Sequence, residues 1–508
     1  MLACWLVLAS ASSVIAATAI AAPAVAQAPS AAHKAQADKA QAALEAGKFP
    51  EAIAIFEDLV RQLPGEAGLQ LNLGMALTMG GQPARAIPVL QKALSMQPDM
   101  LPANLFLGLA QLEIGAAGKA IAPLEKAVAA DRDNAFARQA LGQAYTMLEQ
   151  FDRAVEQYEV LRRAQPSSPQ LLATVGQAYE RLARQAFASL QEINPDSPHV
   201  WLLVADVLTI QENYPQAFEL LRKAQAALPA FPGIHESVAE VYAASGHADW
   251  ATAERAKAAA AAPDCTKLPV ACAFLKGDYQ GVVRLTRGAT QAAALYWRAK
   301  AANELAASAF DALAQLPPSV EQHLVKADIL RGQGQALPAA EELRKALALS
   351  PGNVQIERDL AGALFAARKA DEALPLLEKL LKQSPDDIEL TVGYAEMLVQ
   401  TQQMEPAIPL LEKAIAARPD IVRAHGALGR ALMARGDAAA AVPHLEKALT
   451  TDEDGSLHYQ LAQAYQRVGQ PDQAKAMLEK YQAMQQAAAP PAPTTPESAP
   501  ATITPPVP

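Results

Sequence analysis

Cys265 and Cys272, seven positions apart, are the residues whose type and spacing most invite a chemical role. As metal ligands they would need two more ligands nearby, and none is present. In an oxidising compartment such a pair usually closes, so a disulfide is expected, with two free thiols as the alternative. His235-Glu236 opens like a zinc-protease helix, but Ala239 stands where the second His belongs. Gly332-Gln333-Gly334 is glycine-rich without being a phosphate loop, and neither G-x-x-x-x-G-K-[ST] nor G-x-S-x-G occurs. The eight histidines, among them His235, His323, His425 and His458, are scattered singly and read as surface or groove-edge residues. These residues therefore predict a chain with no catalytic site, no cofactor and no metal.

The elements that carry these residues are preceded by what reads as an export signal. From Leu2 to Ala32 there is no Asp, Glu, Lys or Arg, and Ala24-Val25-Ala26 offers a small-x-small cleavage pattern. A signal peptide at 1–26 and a linker at 27–34 are expected, placing the protein in the periplasm or outside the cell. The rival is an uncleaved membrane anchor over residues 2–26, since a basic n-region is missing and the apolar stretch is long enough to span a bilayer. Cys4 has only three residues before it, too few to hold a lipoprotein signal.

Alanine dominates the composition, followed by Leu, Gln, Glu, Lys and Arg, the residues that lose least entropy in a helix. The chain carries 53 acidic and 43 basic residues, a net charge of −10 that serves solubility. No basic block is present to neutralise a phosphate backbone, which argues against nucleic acid as a partner.

Small alanines beat a period of 34 at Ala52, Ala86, Ala120 and Ala154. The series continues at Ala217 and Ala251, then at Ala339, Ala373, Ala407 and Ala441, with Ala474 one residue short. Pro64, Pro98, Pro166, Pro351, Pro385 and Pro419 keep the same beat, as do Leu73-Gly74, Leu107-Gly108, Leu141-Gly142 and Leu428-Gly429. Each period reads as two helices. The first carries Leu-Gly, where the missing side chain lets the second cross closely, and the second carries the small alanine and ends at proline. Pro88, Pro375, Pro409 and Pro443 are expected in the first turn of the second helix, where a missing N–H costs little.

The pattern resembles the tetratricopeptide-repeat (TPR) family, whose signature is W-x2-L-G-x2-Y, then A-x3-F, then P. Leu141-Gly142, Tyr145, Ala154, Tyr158 and Pro166 match it best, and the resemblance, to the exported bacterial type, covers about residues 35 to 482. It implies an all-α solenoid of about 13 stacked antiparallel helix pairs, coiled into a right-handed superhelix. It also implies that the first helices line a concave surface that binds proteins or peptides. The lysine-asparagine clamp that some members use for C-terminal carboxylates is not recognisable.

Two units are shortened. Pro195 follows Pro166 by 29 residues, and Tyr179 to Phe187 is echoed by Asn303 to Phe310 without glycine or proline at the turn. Each is expected to fuse its two helices into one, or to bend very tightly. An N-terminal array over 35–263, an irregular, disulfide-stapled segment over 264–291, a C-terminal array over 292–482 and a disordered Pro/Ala-rich tail over 483–508 complete the expected organisation.

The groove positions named by spacing are Leu71, Met75, Leu105 and Leu109, an apolar anchor, then Gln143, Gln177, Arg358, Arg430, Tyr459 and Gln463. The alternative for the Leu and Met residues is that they merely pack units together. The expected function is a non-catalytic protein-interaction scaffold in the cell envelope. The alternative is an accessory subunit of an exported polysaccharide or secretion complex. Membrane contact is expected only through an uncleaved N-terminus.

Overall fold

The computed structural model describes residues 30–260, 263–488 and 503–506, so the expected signal at 1–26 lies outside the described residues. Among them are 26 α-helices and no strand. They fall into two compact units, Met1–Leu316 with Ala501–Pro508, and Pro317–Pro500.

The first unit begins with four hairpins: α1 (Ala31–Glu45) with α2 (Phe49–Gln62), α3 (Ala67–Met79) with α4 (Pro83–Met96), α5 (Leu101–Glu113) with α6 (Ala117–Ala130), and α7 (Ala135–Met147) with α8 (Phe151–Ala164). A long helix α9 (Pro169–Ile193) follows. Then come α10 (Pro198–Ile210) with α11 (Tyr214–Ala227), α12 (Ile234–Ala244) with α13 (Ala248–Ala260), and the short α14 (Pro269–Leu275) with α15 (Tyr279–Leu285). A second long helix, α16 (Ala292–Ala314), closes the unit.

The second unit holds five hairpins: α17 (Val320–Gly332) with α18 (Ala336–Leu349), α19 (Val354–Ala366) with α20 (Ala370–Gln383), α21 (Ile388–Gln400) with α22 (Met404–Ala417), α23 (Val422–Arg435) with α24 (Ala438–Ala448), and α25 (Ser456–Arg467) with α26 (Pro471–Ala488).

One turn design joins the hairpins. After α3, Gly81 N–H donates to Thr78 O and Gln82 N–H to Leu77 O, the paired bonds that close a helix through a left-handed residue. Gly81 has φ +71°, and the same place is held by non-glycine residues Glu149, Glu212, Arg368 and Gln402 at φ of 57°, 61°, 55° and 60°. A side chain is strained there. Replacing each of the four by glycine is expected to raise stability by about 0.5 kcal/mol, the strain relieved being partly offset by a freer unfolded chain. Denaturant midpoints check this, and an unchanged or lower midpoint would show that these turns hold no strain.

The period-34 alanines from Ala52 to Ala441 are all fully buried, at 0% exposure. A side chain at Gly74, Gly108, Gly142 or Gly429 would collide with Leu90, Leu124, Tyr158 or Leu445 respectively, each sixteen residues further on. Glycine on the first helix and the bulky residue on the second thus form one lock per unit. Pro88, Pro375, Pro409 and Pro443 lie deeper than the first-turn position expected of them, each being the sixth residue of its helix. Each removes the bond to the carbonyl four residues back, on Ala84, Asp371, Glu405 or Ala439, and those residues are exposed. Carbonyls on exposed residues are open to water, so the missing bond costs little and the helices continue through the prolines.

The shortened segments are single continuous helices, α9 of 25 residues and α16 of 23. They pair with each other, and no other two helices among the described residues pack more extensively. Gly176, near the start of α9, meets Phe310, near the end of α16, instead of a residue sixteen positions on. Each long helix supplies what the other lacks: a first-helix face from one and a second-helix face from the other. Arg298 of α16 fastens the arrangement, bonding Asp152 at the start of α8, Val283 O at 3.2 Å and Thr286 Oγ1 at 3.4 Å.

The units divide at Leu316/Pro317, whereas the sequence suggested a division at 264–291, because the pairing with α9 holds α16 in the first unit. A disulfide joins Cys265, in the loop before α14, to Cys272 within that helix. Helix α1 starts at Ala31, inside the expected linker, with Ser30 capping it through His33 N–H. The expected disordered tail is corrected at two places. Residues 483–488 extend α26, and residues 503–506 are described, with Ile503 packed on the first unit's core. Residues 489–502 and 507–508 lie outside the described residues.

Candidate peptide-binding site

In the first unit α3 packs on α5 and α5 on α7. The first helices of successive hairpins are therefore neighbours, and Leu71, Met75, Leu105, Leu109 and Gln143 stand on adjacent elements. Leu71, Leu105 and Leu109 are half-buried and rest on the core, Met75 is buried, Gln143 is exposed, and Gln177 of α9 is half-buried. In the second unit α21 packs on α23 and α23 on α25, which gathers Arg430, Tyr459 and Gln463. Tyr459 lies against Tyr481, ring centroids 5.3 Å apart, and burial pulls the half-buried Arg430 guanidinium below its usual range. Arg358 on α19 pairs with Asp387 at 2.7 Å.

Four of the histidines, His235, His323, His425 and His458, belong to a recurring structural position four residues before the Leu-Gly glycine or its equivalent. There Gln70, Asn104, Arg138 and His425 bond the carbonyls of Pro64, Pro98, Arg132 and Pro419 in the loop before their helix. The same position reaches the second helix of its own hairpin nineteen residues on: Arg138 to Gln157 at 3.0 Å, His235 to Glu254 at 2.6 Å, His323 to Glu342 at 2.7 Å and His425 to His444 at 2.8 Å. His458 is held separately by Asp452 at 2.6 Å. These bonds tie loop, first helix and second helix together, which is why the position is polar yet largely buried.

His425 Nε2–H donates to Pro419 O, so its Nδ1 accepts from His444. Burial, His425 and Lys447 together hold His444 below the ordinary histidine value. Its folded form therefore binds a proton less readily than the unfolded chain. The stability it contributes is complete above pH about 6.5 and is lost as pH falls toward the depressed value. Between pH of about 7.5 and about 5.5 the second unit's melting temperature is expected to fall, and to fall less in His444→Gln. Equal drops in both proteins would remove His444 as the cause.

A second ladder runs through the first-helix tyrosines. Tyr145 OH donates to Glu125 at 2.6 Å and Tyr179 OH to Glu159 at 3.1 Å, each glutamate lying twenty residues earlier on the preceding second helix. Tyr465 OH donates likewise to Glu446, nineteen residues earlier on the preceding second helix. Burial first, then the adjacent carboxylate, raises all three hydroxyl pKa values above the ordinary tyrosine range. Tyr242 is the exception: Arg222 stands twenty residues before it, and its hydroxyl donates to Thr504 O at 2.6 Å. Sequence reading missed this site, although an arginine in the glutamate's place was the signal.

Around α16 lie two further features. Lys300 Nζ bonds Asp206 at 3.2 Å and Ser237 Oγ at 3.3 Å. Burial opposes its charge, but Tyr296, Asp206 and Glu240 more than offset that and hold it above the ordinary lysine value. Burial also pushes the Tyr296 hydroxyl up to about 12. Nearby, an apolar cleft of about 630 Å³ is lined by Phe231, Trp297 and the Leu268–Val270 stretch beside the disulfide. Phe231 and Trp297 stack at 5.6 Å, and Phe274 tilts against Trp297 at 4.9 Å. Among the described residues no three or more His, Cys, Asp or Glu could hold a metal ion, and no helix is long and apolar enough to cross a membrane.

Stacked helix hairpins with repeated locks define a protein-interaction α-solenoid. Tetratricopeptide-repeat family profiles match residues 15–67, 37–100, 71–135, 177–232 and 324–388, and a second profile of the same repeat matches 364–431 and 432–490. The chain belongs to the tetratricopeptide-repeat family, a generally non-catalytic class with a role in binding proteins.

Similar solved structures include "MamA AMB-1 P212121", 24% identical, over 33% of this chain and 99% of that one, at a TM-score of 0.29. Another is "MamA 41-end from Desulfovibrio magneticus RS-1", 19% identical, over 34% and 97%, at 0.30. A third is "Crystal structure of MamA protein", 27% identical, over 29% and 81%, at 0.28. Scores this low carry no argument about function. A comparison with curated proteins found no match.

Proposed function

We propose that this protein is a non-catalytic scaffold of the cell envelope that holds partner proteins or peptides along its first helices. The observation that carries the reading is the run of adjacent first helices in each unit, with Leu71, Met75, Leu105 and Leu109 together on α3 and α5. Units that rotate slightly from one to the next curve such a run into a concave surface. The half-buried Leu71, Leu105 and Leu109 anchor apolar side chains, whereas Met75 is buried and serves packing. Gln143 and Gln177 in the first unit, and Arg358, Arg430, Tyr459 and Gln463 in the second, bind the polar parts of a partner. The uncharged N-terminal stretch with its Ala24-Val25-Ala26 pattern supports export. A Cys265–Cys272 disulfide suits an oxidising compartment.

Affinity capture from the native envelope, using the chain from Gln27 with a C-terminal tag, tests the reading. One stoichiometric partner is expected. Leu105→Ser with Leu109→Ser should weaken its capture about tenfold, the effect of losing a modest apolar anchor. Because both leucines also rest on the core, Gln143→Arg serves as a second variant, exposed and blocking the same face. Full capture by both variants, with native circular dichroism, would exclude this groove.

A further inference from the structure

We propose that the segment Ile503-Thr504-Pro505-Pro506 is a tethered ligand of the first unit, docked at Tyr242, and that the site it occupies binds extended proline-containing peptides of the same kind. Three observations carry this. First, the segment groups with the first unit: Ile503 is half-buried against that unit's core, and Thr504 O accepts the Tyr242 hydroxyl at 2.6 Å. Second, the site differs chemically from its repeats. Tyr145, Tyr179 and Tyr465 spend their hydroxyl on a glutamate of the preceding helix, whereas Arg222 in the corresponding place cannot accept. With residues 503–506 in place Tyr242 is buried and its hydroxyl takes Thr504 O as its acceptor, and burial favours the neutral, donating form. Third, an aromatic wall surrounds it: Phe218 at 5.4 Å and Trp250 at 5.5 Å from the Tyr242 ring, with His247 stacked on Trp250 at 4.2 Å.

The ligand's chemistry suits that wall. Thr504 precedes a proline, which disfavours helical backbone and holds it extended. Two consecutive prolines limit the conformations lost on docking, so little entropy opposes binding. Recognition through a backbone carbonyl with an aliphatic residue before it reads the shape of an apolar-Thr-Pro-Pro strand. A partner presenting such a strand must displace residues 503–506, which act in cis at an effective concentration on the order of millimolar. That consequence for partners rests on the scaffold reading above, while the docking itself does not.

The test uses a fluorescein-labelled peptide of residues 500–508 with two proteins: the full chain and a chain stopped after Ala488, which keeps α26. Anisotropy should show saturable binding to the shortened chain with Kd below about 1 mM, and at least tenfold weaker binding to the full chain. In the shortened chain Tyr242→Phe should weaken binding about fivefold, the value of one hydrogen bond. Arg222→Glu, which restores the acceptor the other tyrosines have, should weaken it at least as much without lowering the melting temperature. No binding to the shortened chain, equal binding to both chains, or indifference to both substitutions overturns the proposal. The scaffold reading would survive such a result if envelope capture still returned its partner. Conversely, peptide binding with empty capture would leave this proposal standing alone.

Discussion

Phe310→Ala lowers the stability of the first unit by about 3 kcal/mol and loosens two segments far apart in sequence at once. The magnitude follows from deleting a large aromatic, taken at the lower end because Phe310 is half-buried. The pattern follows from the lock it forms with Gly176. In an ordinary hairpin, such as the one where Tyr158 covers Gly142, truncation disturbs neighbours within one repeat. Phe310 covers a glycine from another repeat, so hydrogen exchange should quicken in the first half of α9 together with the second half of α16. Phe310→Leu should recover most of the loss, since it refills most of the volume. Faster exchange confined to α16 would mean that α9 is held by its other neighbours and that the exchanged pairing is incidental.

Arg298→Met is expected to cost about 3 kcal/mol, because removing one member of a buried, hydrogen-bonded ion pair strands the rest. Arg298 is 5% exposed and has Asp152, Val283 O and Thr286 as partners, so the loss uncouples α16 from both α8 and α15. Adding Asp152→Asn should return roughly half of the loss by removing the uncompensated carboxylate, leaving the lost bonds to Val283 O and Thr286 as the remainder. Urea unfolding of the single and double variants measures this. A double variant no more stable than Arg298→Met would show that packing of the arginine stem, and not its charge, holds the junction.

Both effects arise where the period fails, and they bear on function because the same pairing frames the Tyr242 region. Between α9 and α16 the chain makes α10 to α15 and then returns to the helix it left. The aromatic cleft beside Trp297 and the buried Lys300–Asp206 pair both lie along this return path. A regular array would have no reason to gather them.

The period of 34 determined the helix pairs, their family and the lock in each unit, because those contacts are local. A small alanine, a glycine and a bulky residue sixteen positions on can meet only if two helices fold back through a short turn. The shortened segments were legible as fused helices for the same reason: deleting five residues removes the turn, and Ala183 and Ala306 stand where the left-handed residue would be. Their partner was not legible. A straight helix cannot fold onto itself, so each half of α9 and α16 presents a face with no mate within reach along the chain. Only the tertiary structure, which brings together two copies of one duplicated design, supplies it. The docking of residues 503–506 is of the same kind. Composition read the Pro/Ala-rich segment as unable to build a core of its own, and the fold seats residues 503–506 on the first unit's core, at a tyrosine hydroxyl whose usual glutamate is an arginine 281 residues before Ile503.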